Sequence, residues 1–189
     1  VIVEKPTYLA AIQAFALQQP VFREVELTEE GLNIDELNAA LDAGAKMIYL
    51  IPNFQNPTGL TYTAENREQV REVLAGRNIV VVEDDPYGEL RFEGDSLPYI
   101  GGTALPHGVI MGSFSKTVTP GFRMGYLLTK AKVAPYGRYG KRMSCECPFE
   151  TVYSAAAMTS PRRWMPSRMV SSSALVKFRR MVERAPGSG

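Results

Sequence analysis

The 189-residue chain is poor in the residues that metal centres and disulfide scaffolds need, with two cysteines and one histidine. Zinc asks for four ligands, and no matching His or Cys follows Cys145-Glu146-Cys147, so a metal-built site is not expected. No apolar run approaches the roughly 20 residues needed to cross a bilayer, which excludes a helical membrane anchor within these residues. No charged, apolar, small-residue leader opens the sequence, and the expectation is a cytoplasmic protein without a membrane partner. An initiator methionine is also lacking. Val1-Ile2-Val3-Glu4 already reads as a buried strand, so the chain is expected to begin in the middle of a fold.

The net charge of +1 hides a division. Residues 1–133 carry 11 Lys+Arg against 17 Asp+Glu, whereas residues 134–189 carry 10 against 3 and hold both cysteines and the only tryptophan. The acidic first part offers no nucleic-acid footprint. At 189 residues the chain is long enough for one domain with a real core.

Within 1–133, short runs rich in Val and Ile predict strands at Val1–Val3, Val21–Leu27, Met47–Ile51, Ile79–Glu83, Val109–Ser113 and Met124–Leu128. Two helices between them have readable ends. Asn33 caps one that has Glu36 as its third residue, Ile34, Leu37 and Leu41 on one face and Gly44 as the stop. Thr63 caps the other, Ala64–Ala75, with Val70, Val73 and Leu74 inward and Gly76 ending it. Continuous apolar strands separated by helices predict an α/β domain, a mostly parallel sheet with helices on both faces.

Ligands of such sheets gather at the carboxyl ends of the strands. The unusual polar residues of this chain stand there three times. Pro52-Asn-Phe-Gln-Asn-Pro-Thr-Gly59 follows one strand, Glu83-Asp-Asp-Pro-Tyr87 a second, and Ser113-Phe-Ser-Lys-Thr-Val-Thr-Pro-Gly-Phe-Arg123 a third. Each has a bland reading taken singly: an ordinary turn, a helix start, a solvated lysine. Their joint placement is what carries weight. A lysine at the end of a buried strand is expected to lose solvation, which favours the neutral amine that attacks an aldehyde. An aldehyde cofactor bearing a phosphate and a protonatable ring nitrogen would need a carboxylate, phenolate donors, hydroxyls and a cation, and those groups are present.

The strings NFQNPTG, VVVEDDPYGELRF and GSFSKTVTPGFRMGY, in this order and spacing, resemble the class I and II aminotransferases, fold type I enzymes dependent on pyridoxal phosphate (PLP). The branch holding 2-aminoadipate and kynurenine aminotransferases and aminotransferase-like regulators is the most similar, and VIVEKPTYLAAIQAF resembles it too. The resemblance covers 1–133, read as a partial PLP-binding large domain.

The resemblance implies that Lys116 links to the cofactor aldehyde and moves the substrate Cα proton. Asp84 would hold the pyridine nitrogen protonated, and opposite charges about 4 Å apart are worth about 4 kcal/mol at an effective dielectric of 20. Asn56 and Tyr87 would donate to the cofactor's phenolate oxygen. Ser113, Ser115 and Arg123 would bind the phosphate, Arg123 being returned to the site by the Pro120-Gly121 turn. Tyr8 would stack on the ring face, although a core tyrosine looks the same in sequence. The implied reaction moves an amino group between an amino acid and a 2-oxo acid in a homodimer.

Other readings compete. Ser113-x-x-Lys116 also fits the nucleophile motif of penicillin-binding enzymes, but their Ser-Asp-Asn and Lys-Thr-Gly strings are absent. A PLP-sensing effector domain of a transcription regulator fits the same residues as an alternative to an enzyme. Residues 134–189 contain no Asp and no sustained period and stay an unassigned tail, read as disordered, as a nucleic-acid patch or as an out-of-frame translation beginning near Pro135. With the relatives' C-terminal region absent, the chain alone is expected to bind PLP weakly or not at all and to transaminate poorly.

Overall fold

The computed structural model describes residues 1–102, 105–122, 125–129, 142–143 and 151–154. The order along the chain is β1 (Ile2–Lys5), α1 (Leu9–Ala16), β2 (Arg23–Glu26), α2 (Ile34–Asp42), β3 (Met47–Leu50), α3 (Ala64–Leu74), β4 (Val80–Asp84), β5 (Gly108–Ser113), α4 (Phe114–Thr117) and β6 (Gly125–Thr129). Two further strands, β7 (Arg142–Met143) and β8 (Thr151–Ser154), lie beyond. The strands form one sheet in the order β2-β1-β3-β4-β5-β6-β8-β7. The pairs from β2 to β5 are parallel, and those from β5 outward are antiparallel.

Strand alternation sorts the side chains into two layers. Ile2, Ile48, Leu50 and Val81 face α2 and α3, packing on Leu37, Leu41, Val70 and Leu74. Tyr49, Ile51, Val82 and Val109 face the other way, against Ala11 and Phe15 of α1. The doubly covered sheet expected from the apolar strands is thus present in the parallel part.

Both predicted caps form. The Asn33 Oδ1 accepts from the backbone N–H groups of Asp35 and Glu36 at 3.1 and 3.2 Å, and the Thr63 Oγ1 accepts from that of Asn66 at 3.1 Å. Each such cap is worth about 1 kcal/mol. Glu36 does not complete a capping box, because its Oε2 accepts from the Glu26 N–H at 2.8 Å and so ties α2 to the end of β2. Gly44 and Gly76 leave their helices at φ +85° and +78°, conformations open to residues without a Cβ.

The helix α1 has no sequence signature of its start. Its N-cap, Tyr8, makes no side-chain capping bond and the first turn holds no acidic residue. Tertiary packing of Ala11 and Phe15 defines it instead. The strand order reverses at β1, with β2 on one side and β3 on the other. Loops after β1, β3, β4 and β5 therefore crowd the edge where α/β sheets bind ligands. Met124, the expected first residue of β6, lies outside the described residues.

Candidate active site

The loops after three neighbouring parallel strands bring the expected residues to one edge. Asp84 ends β4, Ser113 ends β5, and Lys116 stands in α4 directly after it. Asp84 is aligned with Met111, so Ser113, two residues on, lies on the same face of the sheet as Asp84. The Lys116 Nζ is 6.0 Å from the centre of the Tyr87 ring. Tyr87 and Asn56 are half-buried at the same edge. Tyr8, 41 % exposed, follows β1 and opens α1. Arg123 lies outside the described residues.

Lys116 departs from expectation in its solvation. It is exposed, because β5 stops at Ser113 and the lysine occupies the third position of a short helix beyond the strand. The Ser113 Oγ accepts from the Ser115 N–H at 3.1 Å, which starts that helix and leaves the hydroxyl proton of Ser113 to donate elsewhere.

The carboxylate pair divides its labour by strand parity. Asp84 faces the α1 layer, where the Tyr49 hydroxyl donates to its Oδ2 at 2.6 Å. Burial pushes the Asp84 carboxyl above its usual range, and the Tyr49 hydrogen bond opposes the shift. Asp85 faces the opposite way and is buried. Its Oδ1 accepts from the Asn53 side-chain amide at 3.0 Å and the Gly88 N–H at 2.9 Å, and its Oδ2 accepts from the Tyr99 hydroxyl at 3.1 Å. Asp85 therefore shapes the loop that carries Tyr87. A Cβ on Gly88 would collide with the Asp85 carboxylate, so a larger residue there must displace that carboxylate from its hydrogen bonds.

Beneath the loops lies a buried polar layer that hydrophobic periodicity does not reveal. Arg67 of α3 is 0 % exposed. It donates to the Pro52, Tyr62 and Pro98 carbonyls and, at 2.7 Å, to the Asn53 Oδ1, joining the loops after β3 and β4. Glu83, also fully buried, accepts from the Ile100 and Gly101 N–H groups at 3.2 and 3.0 Å. Burial pushes its carboxyl up to about 7, against the opposing pull of those hydrogen bonds and of Arg67. Glu4 accepts from the Ile51 N–H, the Tyr62 hydroxyl and the Gln55 amide at 2.7, 2.7 and 2.8 Å. Gln55 in turn accepts from Thr58, so Glu4 holds the loop that displays Asn56 from below.

Sequence reading found the residues at the rim and missed this layer. One signal was available: Glu83-Asp84-Asp85 at a strand end must alternate, so the three carboxyls cannot share one environment. Among the described residues no group of His, Cys, Asp and Glu is arranged to hold a metal, and no helix is long and apolar enough to cross a membrane.

Comparison with known proteins agrees with this architecture. Residues 1–182 match the family described as aminotransferase class I and II, a match that continues past 133 into the segment left unassigned by its composition. The chain is 40 % identical over 134 residues to aromatic-amino-acid aminotransferase 1 of Thermococcus litoralis, covering 67 % of this chain and 32 % of that protein. It is 31 % identical over 131 residues to the uncharacterized HTH-type transcriptional regulator YisV of Bacillus subtilis, covering 67 % and 27 %. The crystal structure of LysN, an α-aminoadipate aminotransferase from Thermus thermophilus complexed with N-(5'-phosphopyridoxyl)-L-leucine, superposes with a TM-score of 0.67 at 37 % identity, covering 71 % of this chain and 36 % of that one. The chain thus spans about a third of the length of the relatives it matches. On the family match, the shared fold and the three ordered loops, the chain belongs to the class I and II aminotransferases.

Proposed function

We propose that these residues form the cofactor end of a PLP-dependent aminotransferase that moves an amino group between an amino acid and a 2-oxo acid. The observation that carries the reading is the gathering of Asn56, Asp84, Tyr87, Ser113 and Lys116 after three adjacent parallel strands, with the Lys116 amine 6.0 Å from the Tyr87 ring.

The donor set fits PLP. Asp84 is anchored through one oxygen and presents a carboxylate to a ring nitrogen. Asn56 and Tyr87 would supply neutral donors for a phenolate oxygen, and Ser113 and Ser115 hydroxyls for a phosphate, to which Arg123, outside the described residues, is expected to add a cation. Tyr8, at the start of α1, would offer an aromatic face to the ring. When bound, PLP supplies the aldehyde that takes up the amino group and a ring that accepts the electron pair released at the substrate Cα. Lys116 holds the cofactor through its amine and then takes the Cα proton on Nζ. Asp84 would keep the ring nitrogen protonated, so its loss would weaken cofactor binding several-fold and damage the chemistry still more.

The 189-residue chain alone is expected to bind PLP weakly or not at all and to turn over poorly, and the whole protein is expected to be a homodimer. Similarity to the HTH-type regulator supports a second reading, a PLP-sensing effector domain. A helix-turn-helix encoded ahead of Val1 would favour it.

The test mixes the purified chain with PLP, reduces with borohydride and maps the fixed pyridoxyl group by peptide mass spectrometry, with Lys116→Ala as control. Label confined to Lys116 supports the assignment. Label scattered over other lysines, or none, would leave the family membership standing on its motifs and mean that these 189 residues alone do not assemble the cofactor site.

A further inference from the structure

We propose that Tyr49, a residue of the strand core, is the positioning residue of this site: its phenol fixes one oxygen of Asp84 and leaves the other for the cofactor's ring nitrogen. The inference rests on the reading of Asp84 as the partner of that nitrogen.

Three observations carry it. First, register: Tyr49 of β3 is aligned with Val82 of β4, so Asp84 lies two residues further along the same face. That step is about 6.6 Å at a rise of about 3.3 Å per residue, a span that a tyrosine side chain covers. The hydroxyl meets the Asp84 Oδ2 at 2.6 Å, the short distance of a charge-assisted bond. Second, the ring is immobilised. Tyr49 is 2 % exposed, and Phe15 of α1 packs edge-on against it with ring centres 5.6 Å apart. Its only side-chain polar atom therefore has one direction in which to act. Third, the Asp84 Oδ1 accepts no hydrogen bond among the described residues, and it is not among the atoms sealed from solvent without a partner. One oxygen is held and one is open, the arrangement a carboxylate needs to receive a ring N–H in a fixed direction.

The phenol also acts on charge. Burial favours the neutral Asp84 carboxyl, and the Tyr49 bond opposes this by stabilising the carboxylate. A neutral Asp84 would not hold a protonated ring nitrogen, so the hydroxyl shifts the balance toward the state that the site requires. A tyrosine kept only for packing would not do this.

The experiment follows the Asp84 carboxyl by carbon NMR in the 189-residue chain labelled at aspartate Cγ, with Asp84→Asn to assign the signal. Tyr49→Phe keeps the ring and removes one oxygen. It should raise the Asp84 pKa by about one to two units, the worth of a hydrogen bond to a charged group. Site-specific 3-fluorotyrosine at 49, a stronger donor, should lower it. The opposite directions separate the effect from general loosening of the fold. An Asp84 titration unmoved by both changes overturns the role of Tyr49.

A second arm measures the fraction of Lys116 fixed by borohydride at sub-saturating PLP. Tyr49→Phe should reduce it several-fold and Asp84→Asn at least as much, with the double variant no worse than Asp84→Asn alone. Equal labelling in wild type and Asp84→Asn would overturn the reading of Asp84 itself, whatever the NMR titration shows about Tyr49.

Discussion

Glu83 makes stability depend on pH in a direction opposite to that of a salt-bridged surface carboxylate. Its carboxyl is fully buried and pushed from 4.5 up to about 7. Below about 4.5 it is protonated in folded and unfolded chains alike. Between 4.5 and 7 the unfolded chain has released a proton that the folded one retains, so stability falls as pH rises, and above 7 this fall ends. At about 1.4 kcal/mol per pH unit, the interval is worth about 3 kcal/mol. Glu4 and Asp84, also raised by burial, slope the same way. Urea unfolding followed by circular dichroism at pH 5, 6, 7 and 8 should show wild-type stability declining with pH. In Glu83→Gln the decline should be smaller by about 2–3 kcal/mol across the window. The variant carries a constant penalty as well, because one amide oxygen replaces two acceptors for the Ile100 and Gly101 N–H groups. The slope is therefore the readout. Parallel curves for the two proteins, or a wild type that gains stability with pH, would refute the reasoning.

Removing Arg67 should be among the most damaging single changes. Arg67→Met strips the donors from Asn53 and three carbonyls and removes a cation that acts on Glu83, at a cost of about 3–5 kcal/mol in the unfolding free energy from urea titration. Tyr49, Tyr62, Tyr99 and Tyr126 are all raised above the ordinary tyrosine range, chiefly by burial. Their contribution to stability is complete below about pH 10 and is lost as pH rises further, so tyrosinate absorbance at 295 nm should grow together with loss of the circular dichroism signal. Growth of tyrosinate at these positions with the fold intact would contradict their burial.

The sequence disclosed what repeats and what punctuates. Val and Ile runs gave the strands to within a residue or two at most ends, and Asn33, Thr63, Gly44 and Gly76 gave the ends of two helices because each acts through local backbone chemistry. The rim residues were legible because three loops repeat one placement, each directly after a strand. What escaped depends on distant parts of the chain. The helix α1 is held by Phe15 against Tyr49, a contact across 34 positions. Arg67 sits on the inward face of α3 beside Val70 and Leu74, where a periodicity reading expects an apolar residue. Only the assembled loops supply the four oxygens that make a guanidinium tolerable there. The exposure of Lys116 was legible in part, since the strand was read to end at Ser113 and only the short helix Phe114–Thr117 beyond it was not.

Asp84 and Asp85 are chemically identical neighbours, and nothing but odd or even position along β4 decides which one meets Tyr49 and which one braces the Tyr87 loop. The strand is therefore sensitive to its length as well as to its side chains. One codon gained or lost between Val80 and Asp84 would turn each carboxylate to the other's side of the sheet. Glu83 would rotate with them, away from the Ile100 and Gly101 N–H groups. A single insertion or deletion along this stretch should lower stability in urea more than a conservative change at Val80, and a second length change within the strand that restores the parity should recover part of that loss.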